Sequence, residues 1–277
     1  MARHRRTPVV LRGRNPRAKP SEYRQVRRLA RELAESLAPG KRASVLLCGS
    51  WARGVAHQAS DVDLWVIGRR DRTVVLEREG RLVSVKYLTA ALARREMRDP
   101  ARWDGAIPGW RTARILRDPT GVASRLRSQA RRFRWSTVRG IRDAYVANEL
   151  AGWAEEVAKL LRALETGERE TASVQRNLIA NKMAVLRALE LEVLWETENG
   201  LWELVARRSG AAFQTAQRAA LGTDGGSWQD SCEGAFRLYS LTARASRGVL
   251  RGEKRRIVVA ACRRAGYPIE GKGSRRR

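Results

Sequence analysis

The chain has 277 residues, 43% of them hydrophobic and 31% charged, and carries a net charge of +27. That balance suits a globular chain with a sizeable core, in one large domain or two, and excludes a disordered one. No apolar run approaches the roughly 18 residues that a membrane-spanning helix needs, and the basic N-terminus lacks the apolar stretch of a secretory signal. Cys48, Cys232 and Cys262 are too few and too scattered for a disulfide framework or a zinc site. A cytoplasmic protein with no membrane partner is expected.

Residues 1–20 hold seven Lys/Arg and no acid, and residues 271–277 hold four and no acid. The two ends account for less than half of the excess, so the folded part is basic as well. Such a charge suits polyanions, whether a nucleoside triphosphate, RNA or DNA, and it also fits a plain arginine bias in composition.

In chain order, residues 1–20 read as a basic disordered tail. From Ser21, a plausible N-cap, Tyr23, Val26, Leu29, Ala30, Leu33 and Leu37 recur at helical spacing up to the stop Pro39-Gly40. A strand, Ser44–Cys48, runs into a glycine turn that opens a helix at Gly49-Ser50, and a second strand contains Ser60-Asp61-Val62-Asp63-Leu64 and the apolar residues to Ile67. Thr73–Arg78 and Leu82–Leu88 alternate around Glu79-Gly80-Arg81 as a hairpin. Ala90–Arg98 reads as a helix, Asp99–Trp110 as a tryptophan-rich loop broken by Pro100, Gly105, Pro108 and Gly109, and Thr112–Arg117 as a last strand. Beyond Gly121 only helices are expected. A long apolar stripe runs over Ile141–Leu164 and another over Thr171–Glu198, with shorter helices after them, as in an up-and-down bundle. The predicted fold class is α+β: a small mixed sheet flanked by helices over 21–120, an all-α bundle over 121–268 and a basic tail over 269–277.

The chemistry concentrates in Gly49–Leu64. On a strand, residues i and i+2 share a face, so Asp61 and Asp63 point into one small volume. Carboxylates that close repel unless a cation sits between them, and Mg²⁺ with oxygen ligands does that in phosphate chemistry. Gly49 and Ser50 offer backbone N–H groups and a hydroxyl to an anion. His57, in the same loop, is not needed by such chemistry.

The string Gly49-Ser50-x-Ala52-Arg53-Gly54, six residues and then Asp61-Val62-Asp63-Leu64 resembles the minimal nucleotidyltransferases of the DNA polymerase β superfamily, in identities and in spacing. The resemblance implies Mg²⁺ held by Asp61 and Asp63, phosphates held by Gly49 and Ser50 with Ser60 beside them, and transfer of a nucleoside monophosphate from an NTP, ATP first, to a hydroxyl. Arg53 pairs either with phosphate or with a carboxylate of the fold. The family usually adds a third carboxylate from the neighbouring strand, and here that strand has Ser84 and Lys86. Glu77 and Glu79 on the preceding strand either take its place or are solvated hairpin residues. The helical half resembles that of kanamycin-type nucleotidyltransferases, which implies a small-molecule acceptor and a base from the bundle. Asp143 and Glu149 are the candidates, or plain surface acids, and Asn181-Lys182 is a further polar pair on a bundle helix. Arg125, Arg127, Arg131, Arg132, Arg134 and Arg139, interleaved with Phe133 and Trp135, suit RNA or DNA contact and equally a helix with one wet face. The alternative function is a nucleotide- or nucleic-acid-binding protein of the same fold that has lost turnover with the third carboxylate.

Overall fold

The computed structural model describes residues 17–38, 42–68 and 71–269. The expected tails therefore lie outside the described residues except for 17–20 and 269, as does the Pro39-Gly40 stop. The chain divides into two compact units. Among the described residues, one takes in 17–95 and 109–131, and the other 96–108 and 132–269.

The first unit is a five-stranded sheet with helices, and it bears out the α+β reading. Helix α1 (Pro20–Leu37) begins one residue before the expected cap. Pro20 takes the first turn, where its missing N–H costs nothing, and the Glu22 carboxylate accepts the Lys19 N–H at 2.7 Å. Strand β1 (Ser44–Leu47), the one-turn helix α2 (Gly49–Arg53) and β2 (Val62–Ile67) follow. Then come β3 (Arg72–Arg78) and β4 (Arg81–Leu88), the expected hairpin, and α3 (Ala90–Glu96). The strand order is β3-β4-β2-β1, with β5 (Arg114–Arg117) on the far side of β1. Only β2 and β4 run parallel; the other neighbours are antiparallel.

Alternation along these strands sorts the residues by face. Val45, Leu47, Val62, Leu64, Val66, Val83 and Val85 form one core with Val26, Leu29, Ala30 and Leu33 of α1. That burial explains why α1 forms and which stripe it hides. The opposite face of the sheet carries Asp63, Trp65, Ser84 and Lys86, all partly exposed.

The loop expected over Asp99–Trp110 is instead a 3-10 turn, Pro100–Arg102, capped by the Asp99 side chain, followed by α4 (Trp103–Thr112) with Pro108 inside it. Proline in a helix costs about 3 kcal/mol, and burial outweighs it. In the helical unit Trp103 and Ile107 are fully buried, the Trp103 indole N–H donating to the Met97 carbonyl at 3.1 Å. In the sheet unit Trp110 packs edge-on to Trp65 with ring centroids 5.1 Å apart. Gly109 is no helix breaker there: a Cβ would come within 2.5 Å of the Trp65 ring.

After β5, Asp118 accepts the Ser44 hydroxyl at 2.7 Å and the N–H groups of Ala123 and Ser124 at the start of α5 (Val122–Arg131). Burial works against the charged form, but these hydrogen bonds hold the Asp118 carboxyl below its ordinary range. No strand follows Arg117 among the described residues. The stripe expected as one helix over 141–164 is two, α6 (Trp135–Gly152) and α7 (Ala154–Thr166), parted beside Gly152, where glycine loosens the helix. Helix α8 (Arg169–Glu190) ends short of the expected Glu198 because Glu192 turns left-handed, at φ +57°. It buries one stripe, including Ile179, Met183, Leu186 and Leu189, and packs against α6, α7, α9 (Glu198–Ser209), α10 (Ala211–Ala220) and α11 (Trp228–Ala245); α12 (Gly252–Arg264) lies on α6 and α7.

Helices α10 and α11 touch at Gly234, where an added Cβ would lie 2.5 Å from the Ala220 backbone nitrogen and 2.9 Å from the Ala216 oxygen. Backbone atoms cannot rotate aside as a side chain does. Gly234→Ala is expected to destabilise the helical unit by about 3 kcal/mol, read as a lowered midpoint in urea. An unchanged midpoint would contradict the packing.

Candidate active site in the sheet unit

The site is built from the turn out of β1 and the entry to β2. Pairing of Leu47 with Leu64 brings the end of one strand beside the start of the other, and the Cys48 N–H donates to the Asp63 carbonyl at 2.8 Å. Gly49 then turns left-handed, at φ +65°. A Cβ on Gly49 would lie 1.9 Å from the Asp63 carboxylate, so the side chain of Asp63 occupies the space that any other residue would fill. This close approach, together with the turn, is why the position demands glycine.

Asp63 is partly buried and Asp61, one residue before β2, is exposed. Burial, and then the neighbouring Asp61 charge, push the Asp63 carboxyl up from the usual carboxylate range to about 6, while Arg53 pulls it down. Arg53 thus lies close enough to act on a carboxylate of the site. The Cys48 thiol, fully enclosed, is raised by burial and by Asp63 and drawn back by Lys86.

The loop from Gly54 to Ser60 is clamped on several sides. The Ala56 N–H donates to the Tyr23 hydroxyl at 2.9 Å, and the Tyr23 ring meets Trp51 edge-on at 5.0 Å. The Trp51 indole N–H donates to the Ser60 carbonyl at 3.3 Å, and the Ser60 hydroxyl accepts the His57 N–H at 2.9 Å. Arg81 donates to the Gln58 carbonyl at 2.9 Å and stands 5.2 Å over the Trp51 ring. From β5, Arg114 donates to the Ala52 carbonyl at 2.8 Å. In the sequence Tyr23 reads as one more apolar helix position. Its hydroxyl was the available signal, since a buried tyrosine finds a polar partner.

Gly49, Ser50, Arg53, Ser60, Asp61 and Asp63 are thus brought together around one turn. Ser84 stands level with Asp63 on β4. The two glutamates are used elsewhere: Glu77 on β3 accepts the Gly80 N–H at 2.7 Å, and Glu79, which lies not on the strand but in the turn after it, accepts Arg28 at 3.3 Å. Among the described residues no group of three or more His, Cys, Asp or Glu could hold a metal.

Asp143 and Glu149 belong to the helical unit. Asp143 pairs with Arg142 at 2.7 Å and lines a cavity of about 410 Å³ with Arg251, Glu253 and Lys254. Glu149 pairs with Lys182 at 2.5 Å, whose ammonium also lies over the rings of Tyr145 and Trp153. The arginine run does not form one helix: Arg125, Arg127 and Arg131 are on α5, whereas Arg132 and Arg134 precede α6 and Arg139 lies within it. Arg125 and Arg127 each donate to a carbonyl of their own unit.

Residues 26–98 match the family model described as "Nucleotidyltransferase domain". Over those residues the chain is similar to nucleotidyltransferase domains. The turn at Gly49, the Asp61/Asp63 pair and the clamped loop all fall within the matched residues. No curated protein matches the chain in sequence. The fold is similar to that of a nucleotidyltransferase-like protein from Exiguobacterium sibiricum 255-15, known from a crystal structure at 1.90 Å. The TM-score is 0.52 at 16% identity, over 85% of this chain and 79% of that one. At that identity the likeness is one of fold, and it extends well past the matched domain into the helices. No helix among the described residues is long and apolar enough to cross a membrane.

Two outcomes follow from the turn. Gly54 is also left-handed, at φ +81°, but an added Cβ there meets nothing within 4 Å. Gly54→Ala is therefore expected to cost about 1 kcal/mol for backbone strain, and Gly49→Ala clearly more, as measured by urea unfolding. Asp63 sets a pH dependence. Its folded pKa of about 6 lies above the ordinary value of 3.8, so metal-free protein is most stable with Asp63 protonated and loses on the order of 2 kcal/mol as pH rises through about 6. Asp63→Asn is expected to flatten that slope between pH 4 and 7 in thermal melts; an unchanged slope would place the titration elsewhere.

Proposed function

We propose that the chain is a Mg²⁺-dependent nucleotidyltransferase that moves a nucleoside monophosphate from an NTP, ATP first, to the hydroxyl of a small molecule. The observation that carries this reading is the Asp63 carboxyl, pressed against the Gly49 backbone and driven towards neutrality by burial and by Asp61. Such a pair calls for a cation. Asp61 and Asp63 suit magnesium, which commonly takes one or two carboxylates and completes its shell with water and substrate phosphates. Bound there, magnesium would offset negative charge on the triphosphate as pyrophosphate leaves.

The rest of the reading concerns the chain's own groups. The N–H groups at Gly49 and Ser50 would bind phosphate oxygens, and Arg53 would balance charge beside Asp63. The clamps from Tyr23, Arg81 and Arg114 fix the loop and its turn before substrate arrives, and preorganised dipoles are the larger part of catalysis where the protein forms no covalent bond. In the helical unit, Glu149 or Asp143 would take the proton of the acceptor hydroxyl. Each is already held in place by a cation, Lys182 or Arg142. The small-molecule acceptor follows the kanamycin-type resemblance, and the division into a domain over 21–120 and a bundle over 121–268 follows the loss of strand patterns beyond Gly121.

One observation favours a second reading, a protein that binds nucleotide or nucleic acid without turnover: the hydroxyl of Ser84 stands beside Asp63, and no third carboxylate joins the pair among the described residues. Pyrophosphate release from each NTP, with Mg²⁺ and a panel of hydroxylated acceptors, separates the two. The wild type is expected to release it, with Asp61→Ala and Asp63→Ala each slower by at least about 100-fold, the scale of losing one electrostatic stabiliser. Release that is absent throughout, with nucleotide still bound, would favour the second reading.

A further inference from the structure

Beside Asp63 and Trp65, strand β4 presents Ser84 and Lys86. Parallel pairing sets Ser84 level with Asp63 and Lys86 level with Trp65. Alternation puts all four on the face opposite the core that holds Val83 and Val85. The Lys86 ammonium lies 5.8 Å from the centre of the Trp65 ring. Lys86 and Asp63 both act electrostatically on the Cys48 thiol, and the Cys48 N–H donates to the Asp63 carbonyl. The ammonium thus stands on the same sheet face as Asp63, over Trp65 and two residues along β4 from Ser84.

Donor chemistry then limits what the site can hold. Two dications roughly 4 Å apart need carboxylates enough to offset their mutual repulsion and to bridge them. Here there are two carboxylates, and the neighbouring strand adds a neutral hydroxyl and a positive charge. One dication suits Asp61 and Asp63; a second would face Ser84 and be repelled by Lys86. A triphosphate brings more negative charge than one dication balances, and a lysine is a compact point charge well suited to phosphate oxygens.

We infer that this site takes a single divalent cation with its nucleotide, that Ser84 is the residue denying a second ion its ligand, and that Lys86 supplies the missing positive charge as a fixed ammonium. The inference rests on the nucleotidyltransferase reading above, and its test distinguishes the two. Full-length protein is mixed with MnCl2 and, in turn, each of the four α,β-methylene nucleoside triphosphates, and the Mn²⁺ count per nucleotide complex is read by native mass spectrometry. One Mn²⁺ is expected for the wild type and two for Ser84→Asp. Two in the wild type would overturn the inference and leave the proposed function standing. No complex with any nucleotide, or a nucleotide complex with no Mn²⁺, would overturn the proposed function itself. One Mn²⁺ in both proteins would remove the role given to Ser84. Lys86→Met, which keeps the stem over Trp65, is expected to weaken nucleotide binding at least about tenfold, the scale of one charge-assisted contact, with Lys86→Arg recovering most of it. Equal affinity in Lys86→Met and the wild type would overturn the role of Lys86.

Discussion

A carboxylate taken partly out of water and set beside a second one is unstable until something positive joins it. The sheet unit is arranged to maintain that situation. Asp63 sits where Gly49 has no side chain, so the turn after β1 and the charge on β2 are one piece of geometry. The antiparallel register of β1 on β2 sets the approach, and the loop from Gly54 to Ser60 is kept out of the way by Tyr23, Trp51 and Arg81. The core under the sheet is ordinary by comparison: alternating valines and leucines against one stripe of α1. Its function is to make a rigid floor for an electrostatic arrangement that would otherwise relax.

The helical unit stabilises its polar groups by another route. Its buried or half-buried charges come in pairs, such as Glu149 with Lys182 and Arg142 with both Asp143 and Glu192, and the Lys182 ammonium is further sheltered by two aromatic rings. Pairing of this kind holds a side chain in one orientation at the expense of desolvation. In the sheet unit, Asp61 and Asp63 lean on each other with like sign. A site that binds a cation profits from the second arrangement and not the first.

Much of this was legible in the sequence. The glycine turn, the spacing to Asp61 and Asp63 and the hairpin with Ser84 and Lys86 are short-range patterns, set by a period of two and by the conformational freedom of glycine, and short-range patterns survive without knowledge of the tertiary structure. What escaped were features decided by distant partners. Asp99–Trp110 looked like a loop because Gly109 and Pro108 read as helix breakers, whereas Gly109 is there to let Trp65 approach and Trp103 and Trp110 pull the segment into α4. The continuous stripe over 141–164 hid the interruption at Gly152, because Trp153, the one residue between α6 and α7, keeps a right-handed helical backbone and leaves the apolar period intact. The partners of the Tyr23 hydroxyl and the Arg114 guanidinium had no local signature, since they lie 33 and 62 residues away.

The position of β5 has a further consequence for how this unit comes to exist. The residues that resemble the family end at 98, yet β1, which leads into the glycine turn, is paired on its outer side by Arg114–Arg117 and tied through Ser44 to Asp118. A chain stopped at 98 would leave the most buried strand with an open edge, its N–H and C=O groups free to recruit another molecule. Closing that edge spans some seventy residues, the kind of non-local step that is slow in folding. On a ribosome the turn can form early, but it becomes part of a finished sheet only after the segment up to the start of α5 has emerged.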